Sequence, residues 1–180
     1  MTAKQLTSPD VIRTQFSQAM SAMYRNEVPL YGELIELVST VNQQSIKQNQ
    51  DSTKELARSG SLQNLSEERH GAIRLGTAEE LSTMRRLFAV MGMYPVDYYD
   101  LTVAGIPVHS TAFRPVTTES LEANPFRVFT SLLCLDLIKD NELRESAKAI
   151  LERRNIFTEK ALSLIETHEK QATGKPIYIK

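Results

Sequence analysis

The chain has 180 residues, of which 24% are charged and 41% hydrophobic, with a formal net charge of -1 at neutral pH. That is room for one domain with a real core, or one domain with a helical appendage. Lys and Arg are scattered with no run dense enough to follow a phosphate backbone, which argues against nucleic acid, and no apolar run reaches the roughly 18 residues of a membrane helix.

The N-terminus, MTAKQLTSPD, lacks the apolar stretch of a signal peptide, so the expected location is cytoplasmic; the single cysteine, Cys134, excludes an internal disulfide framework. Ser8 followed by Pro9 predicts a helix start, with Ile12, Phe16, Met20, Met23 and Tyr24 along one face. Pro29 ends that helix and opens a second, with an apolar stripe of Leu30, Leu34, Leu37, Val38 and Val41. The segment NQQSIKQNQDSTKELARSGSLQN is polar and weakly periodic, and reads as a mobile connection with a short helical piece.

From Glu67 the pattern changes. In ERHGAIRLG, His70, Ala72 and Arg74 fall on one face of an extended segment, and Gly71, Ile73 and Leu75 on the other. Thr77 to Gly92 predicts a helix: Thr77 and Glu80 form a capping box, Leu81, Met84, Leu87, Phe88 and Met91 an apolar face, and Gly92 the stop. Three strands are predicted next, Met93 to Leu101, Pro107 to Pro115 and Arg127 to Leu137, separated by Ala104-Gly105 and Asn124-Pro125 turn signals. A helix from Glu142 to Arg153 and a last one capped by Thr158 complete the chain before the tail ATGKPIYIK. The expected organisation is a helical segment over 1–66, a βαβββ sheet unit over 67–140, and C-terminal helices with a tail over 141–180, an α+β protein.

Reactive side chains gather in the sheet unit. A strand histidine such as His70 is more often a hydrogen-bonded structural residue than a metal ligand. Arg74 lies on the same face as His70, about 13 Å along an ideal strand, where its fork can pair with a carboxylate or form a local ion pair. His109 either lines the concave face through its hydrogen-bonding edge or is buried and satisfied. Tyr94, Tyr98 and Tyr99 read as packing groups. Ser110 and Thr111 point to opposite faces beside His109, which speaks against a hydrolase nucleophile.

The segments ERHGAIRLGT, LFAVMGMYPVDYYDL, IPVHSTAFRP and NPFRVFTSLL resemble the 2-oxoadipate dioxygenase/decarboxylase family, and the resemblance runs from about Phe16 to about Phe157. It implies a vicinal-oxygen-chelate-like sheet and an Fe(II) site of two histidines and one glutamate. It further implies conversion of 2-oxoadipate to 2-hydroxyglutarate with dioxygen and loss of carbon dioxide, in lysine catabolism. His70 corresponds to the first iron ligand and Arg74 to a substrate contact; His109 is a further candidate substrate contact by its strand position, not by the resemblance. The family's second histidine and its glutamate have no matching motifs in these 180 residues. The chain is therefore expected to be the N-terminal part of the enzyme, its missing half or a second copy completing the site. The alternative is a catalytically incomplete binding or structural module that pairs with a second βαβββ unit.

Overall fold

The computed structural model describes residues 7–48 and 68–171. Most of the glutamine-rich connection and the ATGKPIYIK tail lie outside the described residues. The chain divides into two compact units, residues 1–71 with 114–128, and residues 72–113 with 129–180.

In the first unit, helix α1 (Pro9–Glu27) starts as its sequence demands, with the Ser8 hydroxyl accepting the Asp10 N–H. Its most buried residues are Arg13 and Ser17 rather than the apolar stripe. Arg13 donates from Nε to the Asn124 carbonyl (3.0 Å) and from Nη2 to the Ser120 carbonyl (2.8 Å) and Asp10 Oδ1 (2.7 Å). Asn124 in turn donates to the Thr14 and Ser17 hydroxyls (3.1 and 3.4 Å) and accepts the Phe126 N–H (2.9 Å). Phe16 meets Phe126 edge to face beside this polar knot. Helix α2 (Tyr31–Gln48) runs through Asn42–Gln48, where the sequence reads as connection. Its stripe of Leu34, Leu37, Val38 and Val41 is exposed, while Tyr31, Ile35, Asn42 and Ile46 are half-buried.

The second unit contains most of a four-stranded sheet. Strand β1 (His70–Leu75) is followed by helix α3 (Ala78–Val90), strands β2 (Tyr94–Asp100) and β3 (Val108–Arg114), a short helix α4 (Thr118–Ala123), and strand β4 (Arg127–Leu133). The α+β class and the strand order along the chain are as expected, with α4 interposed between the last two strands. The spatial order is β1-β4-β3-β2. The Arg127 N–H bonds the Arg69 carbonyl where β4 and β1 both begin, so these strands run parallel. Cys134 N–H to Pro107 O and Leu101 N–H to Val108 O join the end of one strand to the start of its neighbour, so β2, β3 and β4 form an antiparallel meander. Helix α3 carries the chain from one sheet edge to the other.

Gly92 takes φ +66° just past α3, the left-handed turn for which glycine is suited. Met84, Phe88, Met91 and Met93 pack inward, and Phe88 meets Phe113 at 4.9 Å between ring centres. Helices α5 (Asn141–Arg153) and α6 (Glu159–Gln171) follow β4. Strand β4 stops at Leu133, short of Leu137, because Leu135–Leu137 turn into a 3-10 helix. Ile165 of α6 is buried, and Glu169 of α6 pairs with Arg86 of α3 through two bonds of 2.8 and 2.7 Å.

Candidate substrate cleft on the sheet

Strand β1 alternates as its sequence requires: His70, Ala72 and Arg74 are exposed, while Gly71 and Leu75 are buried. At its start, the His70 N–H bonds Glu68 Oε1 (3.2 Å), and the Tyr31 hydroxyl donates to the other Glu68 oxygen. Glu68 is thus committed on both oxygens, and the His70 imidazole is on the exposed face.

At the other end of β1, Arg74 lines a cleft of about 470 Å³ within the second unit. Its walls include Leu101, Ile106, Val108, Leu133 and Leu151, and its polar groups come from Arg74, Ser131 and Arg154. Helix α5 closes in tightly here because residue 76 is glycine: a Cβ on Gly76 would lie 2.0 Å from Leu151 Cδ2. The Gly76 N–H donates to Glu80 Oε2 (2.7 Å) and the Glu80 N–H to the Thr77 hydroxyl (3.1 Å). Glu80 therefore departs from the expected capping box: it reaches one residue further back, to Gly76 rather than to Thr77. Its other oxygen forms an ion pair with Arg154 Nε (3.1 Å), and Arg154 Nη2 donates to the Arg74 carbonyl (2.8 Å).

His109 sits elsewhere. Strand β4 separates its strand from β1, and the cleft is lined by its neighbour Val108, not by His109. Its ring packs edge to face on Tyr98, whose hydroxyl hydrogen-bonds His109 Nδ1. Desolvation, with smaller contributions from Asp100 and Cys134, pushes the Tyr98 phenol up from its ordinary range. Asp100 is held low, chiefly by the hydrogen bonds from the Thr102 hydroxyl (2.5 Å) and N–H (2.9 Å). Tyr98 and Tyr99 are 63% and 41% exposed, and their packing is against single rings, Tyr98 on His109 and Tyr99 on Phe129. Asp97 takes φ +60° between them and Val96, which interrupts the alternation of β2.

The cleft thus unites Arg74 with two polar residues that local pattern does not single out, Ser131 and Arg154. Arg154 stands 80 positions after Arg74. Among the described residues no three His, Cys, Asp or Glu side chains are grouped so as to hold a metal ion. His70 offers one imidazole, so these residues do not fit a complete two-histidine, one-carboxylate iron centre. No described helix is long and apolar enough to cross a membrane.

The chain is thus an α+β protein whose four-stranded sheet bears a cleft of mainly apolar walls, lined also by Arg74, Ser131 and Arg154. Residues 16–176 match the family model for 2-oxoadipate dioxygenase/decarboxylase. The chain is 59% identical over 171 residues to the Pseudomonas putida 2-oxoadipate dioxygenase/decarboxylase, covering 95% of itself and 37% of that relative. It is 57% identical over 162 residues to the Escherichia coli protein of the same name, covering 90% of itself and 36% of that relative. The crystal structure of the Pseudomonas putida hydroxyglutarate synthase in complex with 2-oxoadipate superposes with a TM-score of 0.91 at 59% identity, over 94% of this chain and 38% of that one. The chain belongs to the 2-oxoadipate dioxygenase/decarboxylase family, and it spans little more than a third of the length of these relatives.

Proposed function

We propose that this chain forms part of an Fe(II)-dependent dioxygenase that converts 2-oxoadipate and dioxygen to 2-hydroxyglutarate and carbon dioxide. Family membership carries the reading. The cleft supports it: apolar walls suit the methylene chain of a 2-oxo dicarboxylic acid, and Arg74 suits one of its carboxylates. His70 is proposed as one iron ligand, supported by its exposed place at the head of β1 and its motif, with the remaining donors outside the described residues. His109 is carried as a second substrate contact on its sequence position alone, since it lies outside the cleft and its Nδ1 is taken up by the Tyr98 hydroxyl. A vicinal-oxygen-chelate-like ancestry for the sheet, a place in lysine catabolism and a cytoplasmic location belong to the same proposal.

The test is oxygen uptake on adding 2-oxoadipate and Fe(II), run on the 180-residue chain and on its fusion to the part of the Pseudomonas putida relative that it does not match. One oxygen consumed and one carbon dioxide released per 2-oxoadipate by the fusion is the expected result, with His70→Ala losing both iron and turnover. Iron retained at full occupancy in His70→Ala would remove that residue from the metal. One other reading is a non-enzymatic module that pairs with a second βαβββ unit, since the described residues hold no group of three His, Cys, Asp or Glu side chains fit for a metal ion. A folded fusion with no uptake at all would establish it over the enzyme.

A further inference from the structure

Two backbone groups flank Leu75 at the end of β1, and one ion pair holds both. The Arg74 carbonyl accepts from Arg154 Nη2 at 2.8 Å, and the Gly76 N–H donates to Glu80 Oε2 at 2.7 Å. Arg154 Nε and Glu80 Oε1 close the loop at 3.1 Å. Glu80 is 8% exposed and Leu75 2%, so the clamp grips a buried point of the strand. The seat of Leu151 against Gly76 fixes where α5 delivers Arg154. Both oxygens of Glu80 and two separate nitrogens of Arg154 are used, and only the planar fork of arginine addresses a carboxylate and a carbonyl together in fixed geometry.

We propose that Arg154 is a positioning residue for Arg74: it fixes the backbone from which the Arg74 guanidinium enters the cleft, and so sets the preference for a dicarboxylate over a monocarboxylate. This rests on the reading of Arg74 as the partner of a substrate carboxylate. A guanidinium pairs bidentately only when presented within a narrow range of directions, and the direction of a side chain follows the dihedrals of its own residue. Loosening the Arg74 carbonyl widens that range. Binding of the ligand's apolar chain by Leu101, Ile106 and Leu133 does not depend on it.

The experiment compares two ligands that differ only at the far end, 2-oxoadipate and 2-oxohexanoate. Binding to the same fusion to the unmatched part of the Pseudomonas putida relative is followed by NMR titration, which reads millimolar affinities. The unsubstituted fusion binds 2-oxoadipate more tightly. Arg154→Gln weakens 2-oxoadipate about tenfold and leaves 2-oxohexanoate within about twofold; Arg154→Lys, which keeps the charge but not the fork, lies between. Glu80→Gln, which keeps an acceptor for the Gly76 N–H, shifts the ratio the same way and stands in if Arg154→Gln does not fold. A parallel loss for both ligands, or no loss for either, overturns the proposal, because a merely structural role moves the two together. Arg74→Gln separates the layers. If it leaves the ratio untouched, or if the unsubstituted fusion shows no saturable binding, the reading of Arg74 itself fails; if it abolishes the preference while the Arg154 and Glu80 variants do not, only the positioning role fails.

Discussion

Arg13 and Arg154 use the same chemistry in two regions of the molecule, and burial makes them different devices. Each donates to backbone carbonyls far away in sequence, and each is paired with one carboxylate. Arg13 is 0% exposed, and the Arg154 side chain 33%. A buried guanidinium cannot be replaced by water, so every group it satisfies becomes costly when it is removed. A half-exposed one can be, so its loss costs little stability and shows instead in how well the neighbouring strand end is held.

The comparison breaks first at its buried end. Arg13→Met should destabilise the protein by about 3 kcal/mol or more, read from denaturant midpoints, since it strands the Ser120 and Asn124 carbonyls without the donor that satisfies them. A cost no larger than that of Arg154→Gln would show that burial is not the deciding variable. A buried polar group without a partner should behave in the opposite sense. The Thr130 hydroxyl of β4 is 1% exposed and finds no hydrogen-bond partner among the described residues. Thr130→Val should therefore raise stability by about 1 kcal/mol; a loss of that size would mean the hydroxyl is satisfied by solvent.

The smallest effect belongs to the exposed pair between α3 and α6. Arg86→Ala should cost less than about 1 kcal/mol, because the pair is a third to a half exposed. Its pH dependence has a definite sign. The Arg86 hydrogen bond lowers the Glu169 carboxyl from its ordinary range, so the pair's contribution is present above that range and is lost as the pH falls through the lowered value. Wild-type and Arg86→Ala stability curves should converge in acid, and a gap that stays constant down to pH 3 would remove Glu169 as its cause.

Much of this was legible in the sequence wherever the responsible interaction is local. The two-residue alternation of His70 to Leu75, the Thr77 cap, the Gly92 stop and the Thr158 cap each follow from side chains within four positions of the backbone they act on. Strand β2 forms over Tyr94–Asp100, inside the predicted Met93 to Leu101, but the left-handed conformation of Asp97 within it is something that alternation cannot signal. The exposed stripe of α2 escaped because periodicity reports that a helix has an apolar side, not what that side meets.

By itself, then, the sequence determined the α+β class, the order of the strands and of the longer helices around them, the family, and the shared face of His70 and Arg74. Only the tertiary structure decided that β4 lies between β1 and β3, that Arg13 is the buried centre of α1, and that Arg154 holds the strand bearing Arg74. The reason is physical: caps and periods depend on neighbours along the chain, whereas an arginine's role depends on which distant carbonyl and carboxylate the fold brings within about 3 Å of its fork.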